Sequence, residues 1–171
     1  WFTVRFGVGS GGDSRIVVSD VPMMDVPDAG NLEVEPLAIG PATRVLVVDD
    51  SEDNLILVEA FLARSEVKLE MAKNGWEGVE KALSGNYDLV LMDIQMPVMD
   101  GLTATRVIRL QEEERRSDPT PILALTAHAS QDAIDKSLLA GCTGHLAKPI
   151  NQSTLLAAVS RYARCPVSVG A

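Results

Sequence analysis

From Arg44 onward, short apolar runs alternate with stretches whose apolar residues recur three and four positions apart. The runs of strand length are Val45–Val48, Val67–Met71, Leu89–Met92, Ile122–Leu125 and His145–Ala147. The intervening helical faces carry Val58, Phe61 and Leu62, then Val79, Ala82 and Leu83, then Leu102, Val107, Ile108 and Leu110. A fourth has Ile134, Leu138 and Leu139, and a fifth Leu155, Leu156, Val159 and Tyr162. Turn formers fall between them: Ser84-Gly85-Asn86 ends the second helix, Asp118-Pro119-Thr120-Pro121 precedes the fourth strand, and Gly141 ends the fourth helix. Continuous strand runs predict burial on both sheet faces, hence parallel strands covered by helices. Five strand–helix units over residues 44–164 predict an α/β fold, a five-stranded doubly wound parallel sheet in the order 2-1-3-4-5 with helices on both faces.

The first 43 residues differ. Phe2, Val4 and Phe6 alternate with Thr3 and Arg5, the period of a half-buried strand. Residues 7–43 then hold Gly7, Gly9, Gly11, Gly12, Pro22, Pro27, Pro36 and Pro41 with no periodic apolar face, and read as an acidic linker. Residues 1–43 carry two basic and six acidic side chains, and the whole 171-residue chain has a net charge of −9. That charge argues against a nucleic-acid module or an anionic membrane surface. With 46% hydrophobic and 23% charged residues the chain as a whole is globular in composition. Cys142 and Cys165 match neither a disulfide scaffold nor a zinc spacing, and a reducing compartment, the cytoplasm, is expected. No apolar run approaches the ~18–20 residues of a membrane span.

Polar residues stand where the predicted strands end. Asp49-Asp50 follow the first strand, Asp93 the third, Thr126 the fourth and Lys148 the fifth. Each has an ordinary structural role open to it, with Asp50 or Ser51 as a cap of the first helix. Their convergence on one sheet edge changes the weighing, because ligands of open α/β sheets gather at the strands' carboxyl ends and neighbouring strands lie ~4.8 Å apart. Three carboxylates and one ammonium leave about −2, which calls for raised pKa values or a bound cation. So few hard oxygen ligands suit Mg²⁺ better than a Ca²⁺ cage. A carboxylate nucleophile, a hard divalent ion, a hydroxyl and an amine are the components of phosphoryl transfer. Which carboxylate is attacked stays open on this argument.

At these residues the sequence resembles the receiver domains of two-component response regulators. Arg44-Val-Leu-Val-Val-Asp-Asp50 with Glu52-Asp53-Asn54 is similar to the family's first strand and acidic pair. Leu89-Val-Leu-Met-Asp-Ile-Gln-Met-Pro97 with Met99-Asp100-Gly101 is similar to its phosphoacceptor strand and loop. Pro121-Ile-Leu-Ala-Leu-Thr-Ala127 and Lys148-Pro149-Ile150 are similar to its fourth and fifth strands. The resemblance implies a flavodoxin-like strand order and Asp93 as acceptor of a phosphoryl group from a partner's phosphohistidine. It implies Asp50 and Asp93 as direct Mg²⁺ ligands, Asp49 partly through water, and the Gln95 backbone carbonyl as a further one. Thr126 would bind a phosphoryl oxygen and move inward, Lys148 would pair with another, and the Lys148-Pro149 bond is expected cis. Gln95 and His128 hold the family's tuning positions. At the switch position, where the family commonly has Tyr or Phe, stands His145, either a rotating, pH-sensitive readout or a partly exposed surface histidine.

The opening hexapeptide resembles the closing strand of a histidine-kinase ATP-binding domain. With the Trp start, it leads us to expect the C-terminal receiver of a hybrid sensor histidine kinase, with a stand-alone regulator as alternative. Residues 165–171 form a short tail, and no P-loop or serine elbow occurs. Output is therefore expected by contact with, or phosphotransfer to, a histidine kinase or histidine phosphotransfer protein, with the face of the fourth helix, fifth strand and fifth helix as the family's usual exchange surface. The rival readings are a phosphorylation-independent interaction module and, more remotely, an aspartyl-nucleophile phosphatase, which would need Asp-x-Asp after the first strand. Gln111–Arg116 reads as a solvated helix end, and Met96 and Met99 as surface residues of the acceptor loop whose expected role is loop packing. Amide exchange tests the linker: residues 7–43 should exchange fast, and slow exchange throughout would show packed structure instead.

Overall fold

A computed structural model describes residues 43–127 and 130–163. The expectations for residues 1–42, for His128 and for the tail from residue 164 lie outside the described residues. Ten elements alternate: β1 (Arg44–Val48), α1 (Glu52–Leu62), β2 (Lys68–Ala72), α2 (Gly75–Ser84), β3 (Leu89–Asp93), α3 (Gly101–Arg115), β4 (Ile122–Thr126), α4 (Gln131–Leu139), β5 (Gly144–Ala147) and α5 (Gln152–Tyr162). All strands are parallel in the order β2-β1-β3-β4-β5, as the pattern predicts.

Two apolar layers sandwich the sheet. Val45, Val47, Leu89, Leu91, Leu123 and Leu125 face α1 and α5 through Leu55, Val58, Leu62, Leu155 and Val159. Leu46, Val48, Val90, Met92 and Ile122 face α2 and α3 through Val79, Ala104 and Ile108. Burial on both faces holds for β3 and β4 throughout and for β1 beyond its first residue, but the edge strands β2 and β5 are only half covered. That edge position explains a one-residue displacement of β2 from the apolar run Val67–Met71. Pairing of Arg44 with Lys68 and of Val48 with Ala72 sets the strand, not its own hydrophobicity. Thr43, assigned to the linker, is buried and its carbonyl accepts the Lys68 N–H, so the folded unit includes it.

Two helices depart from their sequence reading. In α3, Leu110 is exposed and the inward positions are Ala104, Thr105, Ile108 and Glu112. Gln111–Arg116 is thus no wholly solvated run: its first five residues complete α3 and Glu112 is buried. Arg109 donates to the Gly141 carbonyl (2.9 Å) and the Thr120 carbonyl (2.9 Å) and pairs with Glu112, which also accepts the Thr120 N–H (2.7 Å). The clamp ties α3 to the loops before β4 and β5. In α4, Leu138 and Leu139 point outward (Leu139 is 85% exposed) and the buried residue is Ser137. Glu112→Ala should cost about 3 kcal/mol, because Arg109 keeps its charge in a mostly buried place without a counterion. Chemical denaturation checks this, and a loss below 1 kcal/mol would show that water takes over the clamp.

Candidate functional site

The carboxyl ends of β1, β3, β4 and β5 meet in one acidic cleft. Asp49 is the first residue past β1, 1% exposed, and its N–H is fixed by the Ala72 carbonyl (3.0 Å). Its carboxylate accepts the Ser51 N–H (2.9 Å) and both oxygens accept from Asn54 Nδ2 (3.0 and 3.1 Å). Ser51, not Asp50, caps α1 by accepting the Asn54 N–H, which leaves the Asp50 carboxylate exposed at the cleft mouth. Asp93 ends β3, buried, and accepts the Gln95 N–H at Oδ1 (3.2 Å). Carboxylate oxygens of Asp49, Asp50 and Asp93 lie within 4.8 Å of one another. Lys148, one residue past β5, donates from Nζ to Asp49 Oδ2 (2.7 Å) and Asp93 Oδ2 (2.8 Å). The Lys148 N–H reaches the Thr126 carbonyl (2.8 Å), so the ends of β4 and β5 are joined, and the Lys148-Pro149 bond is cis as expected.

Electrostatics follow from this burial. Desolvation pushes the Asp93 carboxyl above its ordinary value of 3.8, and the hydrogen bond from Lys148 only partly offsets it. Burial alone would lower the Lys148 ammonium, but its bonds to Asp49 and Asp93 prevail and raise it. The cleft thus holds three carboxylates against one cation, with the desolvation falling on Asp93. Clustered carboxylate oxygens with one exposed member are a donor set for a hard divalent ion, and Mg²⁺ fits it.

Of the residues expected here, Asp49, Asp50, Asp93 and Lys148 come together, with buried Thr126 at the adjoining strand end. His145 is half-buried and opposite Ala124 on the sheet face that also carries Thr126. Asn54 escaped the reading of the site, though its sequence signal was available: it stands one turn into the helix that follows the acidic pair. Gly101 was also not singled out for the site. A Cβ there would run into the Asp93 carbonyl, so only glycine lets α3 start against the end of β3. Met96 is buried and Met99 half-buried in the α2–α3 layer, so the expected loop-packing role fits but surface placement does not. A cavity of about 370 Å³ at the opposite edge is lined by Tyr87, Asp88, Glu112, Arg115 and Thr120, whose Glu112 and Arg115 side chains are already engaged.

Such a cleft, at the carboxyl edge of a parallel sheet in this strand order, is the arrangement of a signalling receiver domain. Residues 45–160 match the response regulator receiver domain, and the chain belongs to that family. It is 44% identical over 121 residues to hybrid signal transduction histidine kinase G of Dictyostelium discoideum, a match covering 70% of this chain and 4% of that protein. The chain therefore spans a small part of such relatives. Among solved structures, the receiver domain of Ssk1 in complex with the histidine phosphotransfer protein Ypd1 from Saccharomyces cerevisiae superposes with TM-score 0.69 and 34% identity, over 72% of this chain and 90% of that one. The receiver domain of sensor histidine kinase PA1611 of Pseudomonas aeruginosa PAO1, with magnesium in its active-site cleft, gives TM-score 0.63 and 37% identity over 71% and 97%.

The raised Asp93 pKa has a stability consequence. A carboxyl that holds its proton more tightly folded than unfolded loses stability as pH rises from its ordinary value through the folded one. Above both values charged Asp93 opposes folding, so metal-free Asp93→Asn should melt higher than the parent chain at pH 7 and gain nothing at pH 3. Calorimetry at the two pH values checks it; a lower melting temperature at pH 7 would mean that the Lys148 bond outweighs desolvation.

Proposed function

We propose that the domain accepts a phosphoryl group on Asp93 from a phosphohistidine and passes the signal on by contact or onward transfer. The observation that carries this is the Lys148 ammonium held between Asp49 and Asp93, a cation already at the edge where phosphoryl oxygens would arrive. An Asp93 carboxylate oxygen attacks phosphorus, the O–P bond forming as the P–N bond breaks, and the released electron pair stays on the imidazole nitrogen. Lys148 exchanges its carboxylate partner on Asp93 for a phosphoryl oxygen, and the Thr126 hydroxyl binds another. Asp50, Asp93 and the Gln95 carbonyl would hold Mg²⁺, which would supply positive charge beside the phosphoryl oxygens. Asp49 already accepts from Ser51, Asn54 and Lys148, which favours a water-mediated share in that ligation.

His145 shares a sheet face with Thr126, which supports its role as a readout of hydroxyl movement. Gln95 and, on sequence grounds, His128 tune the phosphate lifetime. The exposed Leu138 and Leu139 of α4 belong to the face through which output leaves. The likeness to a hybrid kinase favours a receiver in such a chain, working in the cytoplasm with a histidine kinase or a histidine phosphotransfer protein. Among the described residues no helix is long and apolar enough to cross a membrane.

Intact mass after incubation with a small acyl phosphate tests the reading. One phosphoryl adduct should form with Mg²⁺ but not with chelator, be lost to hydroxylamine, and be absent from Asp93→Asn. Millimolar Mg²⁺ should also raise the melting temperature of the parent chain. An adduct that persists at full stoichiometry in Asp93→Asn would refute the assignment, and no adduct under any condition would favour a binding module instead.

A further inference from the structure

Both carboxylate oxygens of Asp49 are occupied by donors of this chain. Oδ1 accepts the Ser51 N–H (2.9 Å) and Asn54 Nδ2 (3.0 Å), and Oδ2 accepts Asn54 Nδ2 (3.1 Å) and Lys148 Nζ (2.7 Å). A carboxylate offers about four lone-pair positions, so these contacts saturate it. Asp49 is 1% exposed and depends on these donors rather than on water. Asp50, by contrast, stands exposed at the cleft mouth. Half of the saturation comes from one neutral side chain. Asn54 is the third residue of α1, and its own N–H is fixed by the Ser51 cap (3.4 Å). Helical side chains lean toward the N-terminus of their helix, so the Asn54 amide reaches back over the cap to Asp49. The Ser51 N–H is set by the backbone and Lys148 also serves Asp93, whereas both hydrogen bonds of Asn54 Nδ2 go to Asp49.

We propose that Asn54 sets which divalent ion the cleft prefers, by closing Asp49 to direct ligation. The inference rests on the reading of Asp50, Asp93 and the Gln95 carbonyl as the metal-holding set. An oxygen whose lone pairs point at N–H groups does not also face a cation, because the donated hydrogens carry positive charge. With Asp49 closed, the cleft offers two carboxylates and one carbonyl. That set suits Mg²⁺, which binds through one or two carboxylates and keeps several of its waters. Ca²⁺ takes about six to eight oxygen ligands in looser geometry, and gains more from an added carboxylate. Removing the Asn54 amide opens a position on each Asp49 oxygen, on a carboxylate that lies within 4.8 Å of those of Asp50 and Asp93. A third direct carboxylate then shifts the preference toward Ca²⁺. Asn54 is a positioning residue, acting through Asp49 rather than on the ion.

Titration calorimetry with Mg²⁺ and with Ca²⁺ tests this on the parent chain, Asn54→Leu and Asn54→Ala. Leucine fills the space of the amide against water, and alanine is the second variant in case leucine disturbs the half-buried first turn of α1. The parent should bind Mg²⁺ more tightly than Ca²⁺, and the variants should shrink that preference about tenfold. In an Asp49→Asn background the same substitutions should leave the ratio of the two affinities unchanged, as a residue acting through Asp49 requires. A ratio equal to the parent's in both variants would overturn the assignment, and so would an undiminished shift in the Asp49→Asn background. A changed melting temperature with the ratio intact would reduce Asn54 to a stabiliser of α1 and also overturn it. A parent chain that binds neither ion would instead refute the metal-holding set beneath the proposal.

Discussion

A single ammonium holds the cleft together. Lys148 comes from the last strand and spans carboxylates delivered by the first and third, so its two bonds link residues 99 and 55 positions away in sequence. Every part of the architecture serves that meeting. The parallel sheet sends β1, β3 and β5 out at the same edge, the apolar layers on both faces hold their spacing, and Gly101 lets α3 begin directly beside Asp93. The ammonium does not cancel the charge it bridges, and Asp93, buried, keeps a pKa raised above its ordinary value.

The sheet was legible in the sequence because its strands are apolar on both faces. Leu89–Met92 and Ile122–Leu125 need no knowledge of their neighbours to be read as buried strands. The site was legible for a related reason: parallel topology puts all strand ends on one edge, so residues distant in sequence could be gathered by counting. Where the reading failed, a neighbour decided. β2 is placed by its pairing with β1, and Glu112 is drawn inward by Arg109 and the Thr120 N–H although its six-residue run looks solvated. Leu138 and Leu139 kept helical spacing yet face outward, since α4 packs chiefly on the short edge strand β5 and has little to cover.

The same comparison separates residues kept for folding from residues kept for contact. Asn54, Gly101 and Glu112 are each explained by a neighbour within the domain. Val98 and Trp76 have no such explanation, and neither have the outward leucines of α4. These residues lie on different parts of the surface: Val98 in the loop that leaves Asp93, Trp76 at the start of α2 and the leucines on α4.

The chain enters β1 at the edge opposite the cleft, and α5 returns there, with the Tyr162 hydroxyl close to Gly144 at the start of β5. Both ends of the described domain therefore leave from its back.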